Sequence, residues 1–133
     1  MDYYRNILIT GCSSGLGQAL FNRVWEDDTL IPFAHYRSEH GDPHALIGDI
    51  TDPDFPEKLD NHIRKYQIDC FINNAGVYEG DIIDINLGSQ IRILQVVYKY
   101  FLERKKGRII NINSVAGLYP SANESIYCAS KFG

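Results

Sequence analysis

The chain has 133 residues, 44% of them hydrophobic and 23% charged, with a formal net charge of −4 at pH 7. That length supports one domain with a core of its own. With this acidic balance, nothing suggests a nucleic-acid phosphate backbone or an anionic membrane surface as partner. Cys12, Cys70 and Cys128 sit in or beside apolar segments without metal-type spacing, which fits free thiols in a reducing compartment.

The first residues run directly into an apolar strand, Ile7–Thr10, leaving no room for a signal peptide. No apolar stretch approaches the length that spans a bilayer, so a soluble, cytoplasmic protein is expected. Thr10-Gly-Cys-Ser-Ser-Gly-Leu-Gly17 comes next and opens a helix over residues 15–26, with Leu16, Leu20 and Val24 repeating at spacing four. Gly11 can take the tight turn, Gly15 lets the backbone approach a pyrophosphate, and Gly17 permits close helix–strand packing. A helix N-terminus also offers free N–H groups to phosphates. Gly11, Ser13, Ser14, Gly15, Leu16 and Gly17 are therefore candidate dinucleotide contacts.

Ile31–Tyr36 reads as the second strand. An acid at its end would bind a ribose 2′-hydroxyl, whereas an arginine accommodates a 2′-phosphate. The chain has Arg37 and Ser38 there, with no acid before Glu39, which favours NADP(H) over NAD(H). Residues 45–48 form a third strand, followed by Asp49 and Ile50. The link 37–44 is shorter than the crossover of about a dozen residues that parallel neighbours usually need. Either the loop is compressed or a strand boundary lies elsewhere.

Residues 54–66 form a helix with Pro56 in its first turn and Leu59, Ile63 and Tyr66 on one face. Residues 68–73 are the fourth strand. A long helix is expected over 81–103, its apolar stripe made by Ile83, Leu87, Leu94 and Phe101 with Ile91 and Tyr98 between; Arg104, Lys105, Lys106 and Gly107 close it. Residues 108–113 are strand five, and a last helix opens near Tyr127. This alternation predicts a single domain over residues 1–133, of α/β class, with a Rossmann-type doubly wound parallel sheet of about five strands.

In the last helix Tyr127 and Lys131 are four residues apart and share a face. A lysine ammonium held there favours phenolate and lowers a tyrosine pKa, which makes a usable proton donor and acceptor. Other candidates have plainer readings. His40 and His44 flank Gly41 and Pro43 with no third ligand at suitable spacing, so no metal site is expected. Asp81 and Asp84 read as helix-start residues, Tyr98 to Phe101 as helix packing or a subunit contact, and Cys12 and Cys128 as small packing residues.

Taken in order, the Thr10–Gly17 turn, Asp49, Asn73-Asn-Ala-Gly76, Asn86, Ser114 and Tyr127-x-x-x-Lys131 resemble the short-chain dehydrogenase/reductase family over essentially the whole chain. The resemblance implies hydride transfer between a nicotinamide cofactor and a small carbonyl or alcohol substrate. Tyr127 would be the general acid or base, and Lys131 would assist it and hold the nicotinamide ribose. Ser114 would bind the substrate oxygen, and Asn86 would support a relay water. Asp49, with Ile50, would contact the adenine, while Asn73, Ala75 and Gly76 would line the adenosine-ribose side.

Two departures from the family pattern stand out. Only nine residues separate Gly76 from Asn86, a shortened approach that can misplace Asn86, and the chain stops where the family continues through two further strands. The rival readings are an NADP(H)-binding module without turnover and an inactive gene fragment of such an enzyme. Family members often associate through the long helix and the Tyr-x-x-x-Lys helix, which leaves homo-oligomerisation open here.

Overall fold

Five short apolar runs, β1 (Asn6–Ile9), β2 (Ile31–Tyr36), β3 (Leu46–Ile47), β4 (Cys70–Asn73) and β5 (Arg108–Asn111), pair in parallel in the order β3-β2-β1-β4-β5. The computed structural model describes residues 4–133. Helices α1 (Gly15–Trp25), α2 (Phe55–Lys65), α3 (Ser89–Arg104) and α4 (Ser125–Phe132) follow the strands, giving the expected doubly wound, Rossmann-type sheet.

The alternation of side chains along a strand sorts the core into two layers. Ile7 and Ile9 of β1 join Ala34, Cys70 and Ile72 against Leu20, Phe21 and Val24 of α1. Leu8, between them, faces the other way and packs with Phe33, Phe71 and the α2 and α3 residues Phe55, Leu59, Ile63, Ile93 and Val97. Being covered on both faces is why the central strands are continuously apolar rather than alternating. Leu16 does not share the packed face expected of it; it is 53% exposed and lines a cleft at the carboxyl edge of the sheet.

The link between β2 and β3 is the compressed loop. The two strands are parallel neighbours paired only at His35↔Leu46 and Tyr36↔Ile47, and no helix lies between them. Asp42 braces the loop by accepting the His44 N–H at 2.9 Å.

The long helix departs from expectation in two ways. It opens at Ile82, near the expected start, but widens into a π turn over Asp84–Gly88 before the α-helix resumes at Ser89. Its buried stripe is Ile93, Val97, Tyr100 and Phe101, whereas Ile83, Ile91 and Tyr98 are exposed. The helix is apolar on more than one side, and periodicity alone does not say which side meets the sheet. Asp81 accepts the Asp84 N–H at 3.1 Å, so it does serve the helix start, while Asp84 pairs with Arg92 at 2.9 Å. The helix stops at Lys105 in the left-handed conformation, and a side chain on Gly107 would collide with the ring of Phe101.

Candidate active site

The carboxyl ends of β1, β2 and β4, together with α4, enclose a cleft of about 710 Å³. Its floor is the turn after β1. Thr10 is fully buried, and its Oγ1 accepts the N–H groups of Asn74 and Ala75, each at 3.0 Å. Asn74 returns the contact by donating Nδ2 to the carbonyl oxygens of Thr10 and Gly11. The turn after β1 is thus stitched to the turn after β4.

Gly11 has φ +72°, and a Cβ on Gly17 would strike the Gly11 carbonyl, so both positions require glycine. Ser14 caps α1 without a side-chain hydrogen bond, which leaves the first N–H groups of the helix without that partner beside the cleft. Gly11, Ser13, Ser14, Gly15 and Leu16 all line it.

At the next wall stand Arg37 and Ser38, followed by Glu39 and His40. Asp49 and Ile50 continue the lining from the segment after β3. Asp49 accepts the Thr51 N–H at 2.9 Å and the Thr51 hydroxyl at 2.7 Å, which holds its carboxyl below the usual aspartate range. Asp49 is therefore a fixed anion in the cleft wall.

Ala75, Gly76, Tyr127 and Lys131 bring the far end of the chain onto the same cleft. The one-turn spacing in α4 sets the Lys131 Nζ 5.8 Å from the centre of the Tyr127 ring. Gly76 lies against the same ammonium: a Cβ there would stand 3.2 Å from Asn86 Oδ1 and 3.4 Å from Lys131 Nζ. Asn86, almost completely buried in the π turn, accepts the Val77 N–H and donates to the Val77 carbonyl, both at 2.7 Å, and donates to Ser130 Oγ at 3.2 Å. The short approach from Gly76 therefore still delivers Asn86 to the side of Lys131.

Four expected residues lie outside the cleft lining. Gly17 is buried as a packing residue and does not line the cleft. Asn73 donates its Nδ2 to Asn111 Oδ1 at 3.1 Å and, with Asn86, borders a smaller cavity behind Lys131. Ser114 lies outside the cleft lining; its Oγ accepts the Ala116 N–H at 3.2 Å and starts a short 3-10 turn over Val115–Gly117. Ala116 packs against Tyr127 and Cys128, so this turn belongs to the same end of the site.

Sequence reasoning missed Thr10, His35, Asn74, Tyr78 and Asn113. The signal for Asn74 was its place in the Asn-Asn-Ala-Gly run; the others depend on contacts between distant segments. His40 stacks on Tyr36 while His44 meets Tyr66, and among the described residues no cluster of three or more His, Cys, Asp or Glu could hold a metal. Burial pushes the Cys12 thiol up to about 11, and it donates to the Ile9 carbonyl, as suits a packing residue. Among the described residues no helix is long and apolar enough to cross a membrane.

The family model for short chain dehydrogenases matches residues 5–133. The chain is 31% identical to the 3-oxoacyl-(acyl-carrier-protein) reductase FabG of Thermotoga maritima, over 95% of this chain and 62% of that protein. It is 27% identical to the corresponding reductase MabA of Mycobacterium avium, over 97% of this chain and 56% of that protein. Among solved structures, F189W actinorhodin polyketide ketoreductase with NADPH matches with a TM-score of 0.84 at 26% identity, covering 97% of this chain and 60% of that one. A 4-hydroxyisoleucine dehydrogenase complexed with NADH matches with a TM-score of 0.81 at 27% identity, covering 96% of this chain and 63% of that one. The chain thus spans roughly 56–62% of the length of these two curated relatives. With the glycine turn, the Asn-Asn-Ala-Gly run and the Tyr–Lys pair gathered at one sheet edge, it belongs to the short-chain dehydrogenase family.

Proposed function

We propose that this chain carries the cofactor-binding and proton-transfer centre of an NADP(H)-preferring oxidoreductase that interconverts a carbonyl and an alcohol. The observation that supports it best is that Tyr127 and Lys131 share one cleft with the phosphate-binding turn, more than a hundred residues earlier in the chain. The lining suits a dinucleotide: helix N–H groups for the pyrophosphate, Asp49 and Ile50 for the adenosine end, and glycine at positions 11 and 76, where a side chain would press on Asn74 and Ala75 or on Asn86 and Lys131. A bound nicotinamide would supply or take the hydride.

Each protein residue then has a defined task. Tyr127 gives a proton to the substrate oxygen during reduction and takes it back in oxidation. Lys131 supplies positive charge beside that phenol and hydrogen-bond donors to the ribose. Ser114 already accepts from Ala116 N–H, which leaves its own hydroxyl proton free to donate to the substrate oxygen. Asn86 holds the Val77 peptide by both its N–H and its carbonyl and so steadies the wall beside Lys131.

The NADP(H) preference rests on Arg37 and Ser38 in the cleft wall, and the substrate class on the names of the relatives, which are reductases of 3-oxoacyl and polyketide carbonyls. An exposed apolar stripe on α3, Ile91, Tyr98 and Leu102, supports homo-oligomerisation through that helix. The buried free thiols accord with residence in the cytoplasm. A non-catalytic NADP(H)-binding module is the second reading, favoured by Tyr78, whose ring covers one face of Tyr127.

Fluorescence titration tests the cofactor. NADPH should bind more tightly than NADH, and Arg37→Glu should reverse that order; wild-type protein that binds both equally, or a variant that keeps the wild-type order, would refute this reading. Turnover of ketones by the wild-type chain separates enzyme from binder.

A further inference from the structure

Two consecutive N–H groups of the phosphate turn end on one residue of the neighbouring strand. Gly11 donates to His35 Nδ1 at 3.2 Å, and Cys12 donates to the His35 carbonyl at 3.0 Å. A backbone N–H can only donate, so Nδ1 must be the bare nitrogen of the ring. Nε2 then carries the proton and donates it to the Gly48 carbonyl at 2.8 Å. The ring is 3% exposed and meets Phe55 edge-on, with centroids 5.2 Å apart, which packs it in place.

Each end of this bridge adjoins a different part of the cleft. Beyond Gly11 and Cys12 come Ser13, Ser14, Gly15 and Leu16, which line the phosphate end; beyond Gly48 come Asp49 and Ile50, which line the adenosine end. We propose that His35, in its Nε2–H form, is a positioning residue for the dinucleotide, holding the phosphate turn and the adenosine wall at a fixed separation before the cofactor arrives. This rests on reading the cleft as a dinucleotide site.

Tying the Gly11 and Cys12 N–H groups inward leaves those after them for the ligand and fixes Gly11 at its positive φ. A cradle set in advance avoids the ordering cost of assembling it on binding. The charged and titratable groups around the ring are Asp49 after β3, His62 on α2 and Cys12 in the turn, and burial keeps the imidazole neutral near pH 7. An imidazolium could not accept the Gly11 N–H.

Three substitutions separate the two bonds. In His35→Asn the side-chain oxygen reaches the Nδ1 position and can keep the Gly11 bond. In His35→Gln the amide reaches the Nε2 position and can keep only the Gly48 bond. His35→Leu removes both. Breaking either bond severs the bridge, so NADPH binding should weaken roughly tenfold in Asn and in Gln, and at least as much in Leu. Titrations run well below each variant's melting temperature, with nitrogen-15 spectra of the wild-type imidazole, complete the test. Asn or Gln binding like wild type, or all three losing affinity in step with melting temperature, would overturn the inference. A spectrum with the proton on Nδ1 would overturn it regardless of binding. Wild-type protein that fails to bind NADPH while showing the Nε2–H form would remove the dinucleotide reading itself, and the inference with it.

Discussion

Tyr78 lies flat against Tyr127, ring centroids 4.3 Å apart and planes 24° from parallel. Tyr78 is 69% exposed and belongs to the short segment between β4 and the π turn. The neighbouring Tyr127 side chain pushes the Tyr78 phenol above its ordinary range. The pairing makes Tyr78 a wall of the space in front of the proposed proton donor. A stacked aromatic pair contributes about 0.5–1.5 kcal/mol beyond burial, so Tyr78→Ala should raise kcat/KM for bulky ketones over small ones by roughly two- to tenfold. NADPH affinity should stay unchanged, and an unaltered ranking across a ketone series would dismiss this role.

Tyr127→Phe keeps the ring and its stack on Tyr78 but removes the transferable proton. The expected loss in kcat is about 10²- to 10⁴-fold, the usual contribution of a positioned acid or base. NADPH titration should be almost unaffected. Equal turnover by the two proteins would end the assignment of Tyr127.

Burial lowers the affinity of both His35 and His62 for protons below that of an ordinary histidine. Protonation therefore favours the unfolded chain, where both histidines have ordinary values. Their contribution is fully present above about pH 6.5 and is lost as pH falls from there through the folded values. Asp49 and Asp27 titrate below the usual aspartate range and so affect stability only at more acid pH. Urea unfolding at about pH 7.5 and about pH 5 should give a lower midpoint at the acid condition, and His62→Asn should flatten the difference. Identical midpoints for the wild type would contradict the burial argument.

Gly17→Ala places a methyl group against the Gly11 carbonyl. Overpacking of this kind typically costs about 1–3 kcal/mol. Because the clash falls on the phosphate turn, NADPH affinity should drop more than thermal stability does. Gly41→Ala, where no atom lies within 4 Å of the added carbon, is the matched control and should change neither.

Much of this architecture was legible in the sequence because it depends on local pattern. Strand β2 has the expected bounds, Pro56 marks the start of α2, and the Gly11–Gly17 turn stands between β1 and α1. What escaped depends on pairing across the fold. Nothing near position 35 signals that a histidine will receive Gly11 and reach Gly48, and nothing near Thr10 announces Asn74 as its partner. The outward turn of Ile91 and Tyr98 is of the same kind, since the choice between two apolar stripes is made by the sheet. The π turn at Asn86 holds no proline and a single glycine, Gly88 at its last position, so composition alone does not flag the widening.

The abbreviated connection after β2 also bears on how molecules meet one another. With β3 reduced to two residues, Ile31–Ala34 borders no further strand on that side among the described residues. Such a bare margin invites a stray chain to add itself to the sheet. Pro32 has no N–H to offer it, which interrupts the run of donors that a growing fibril would copy.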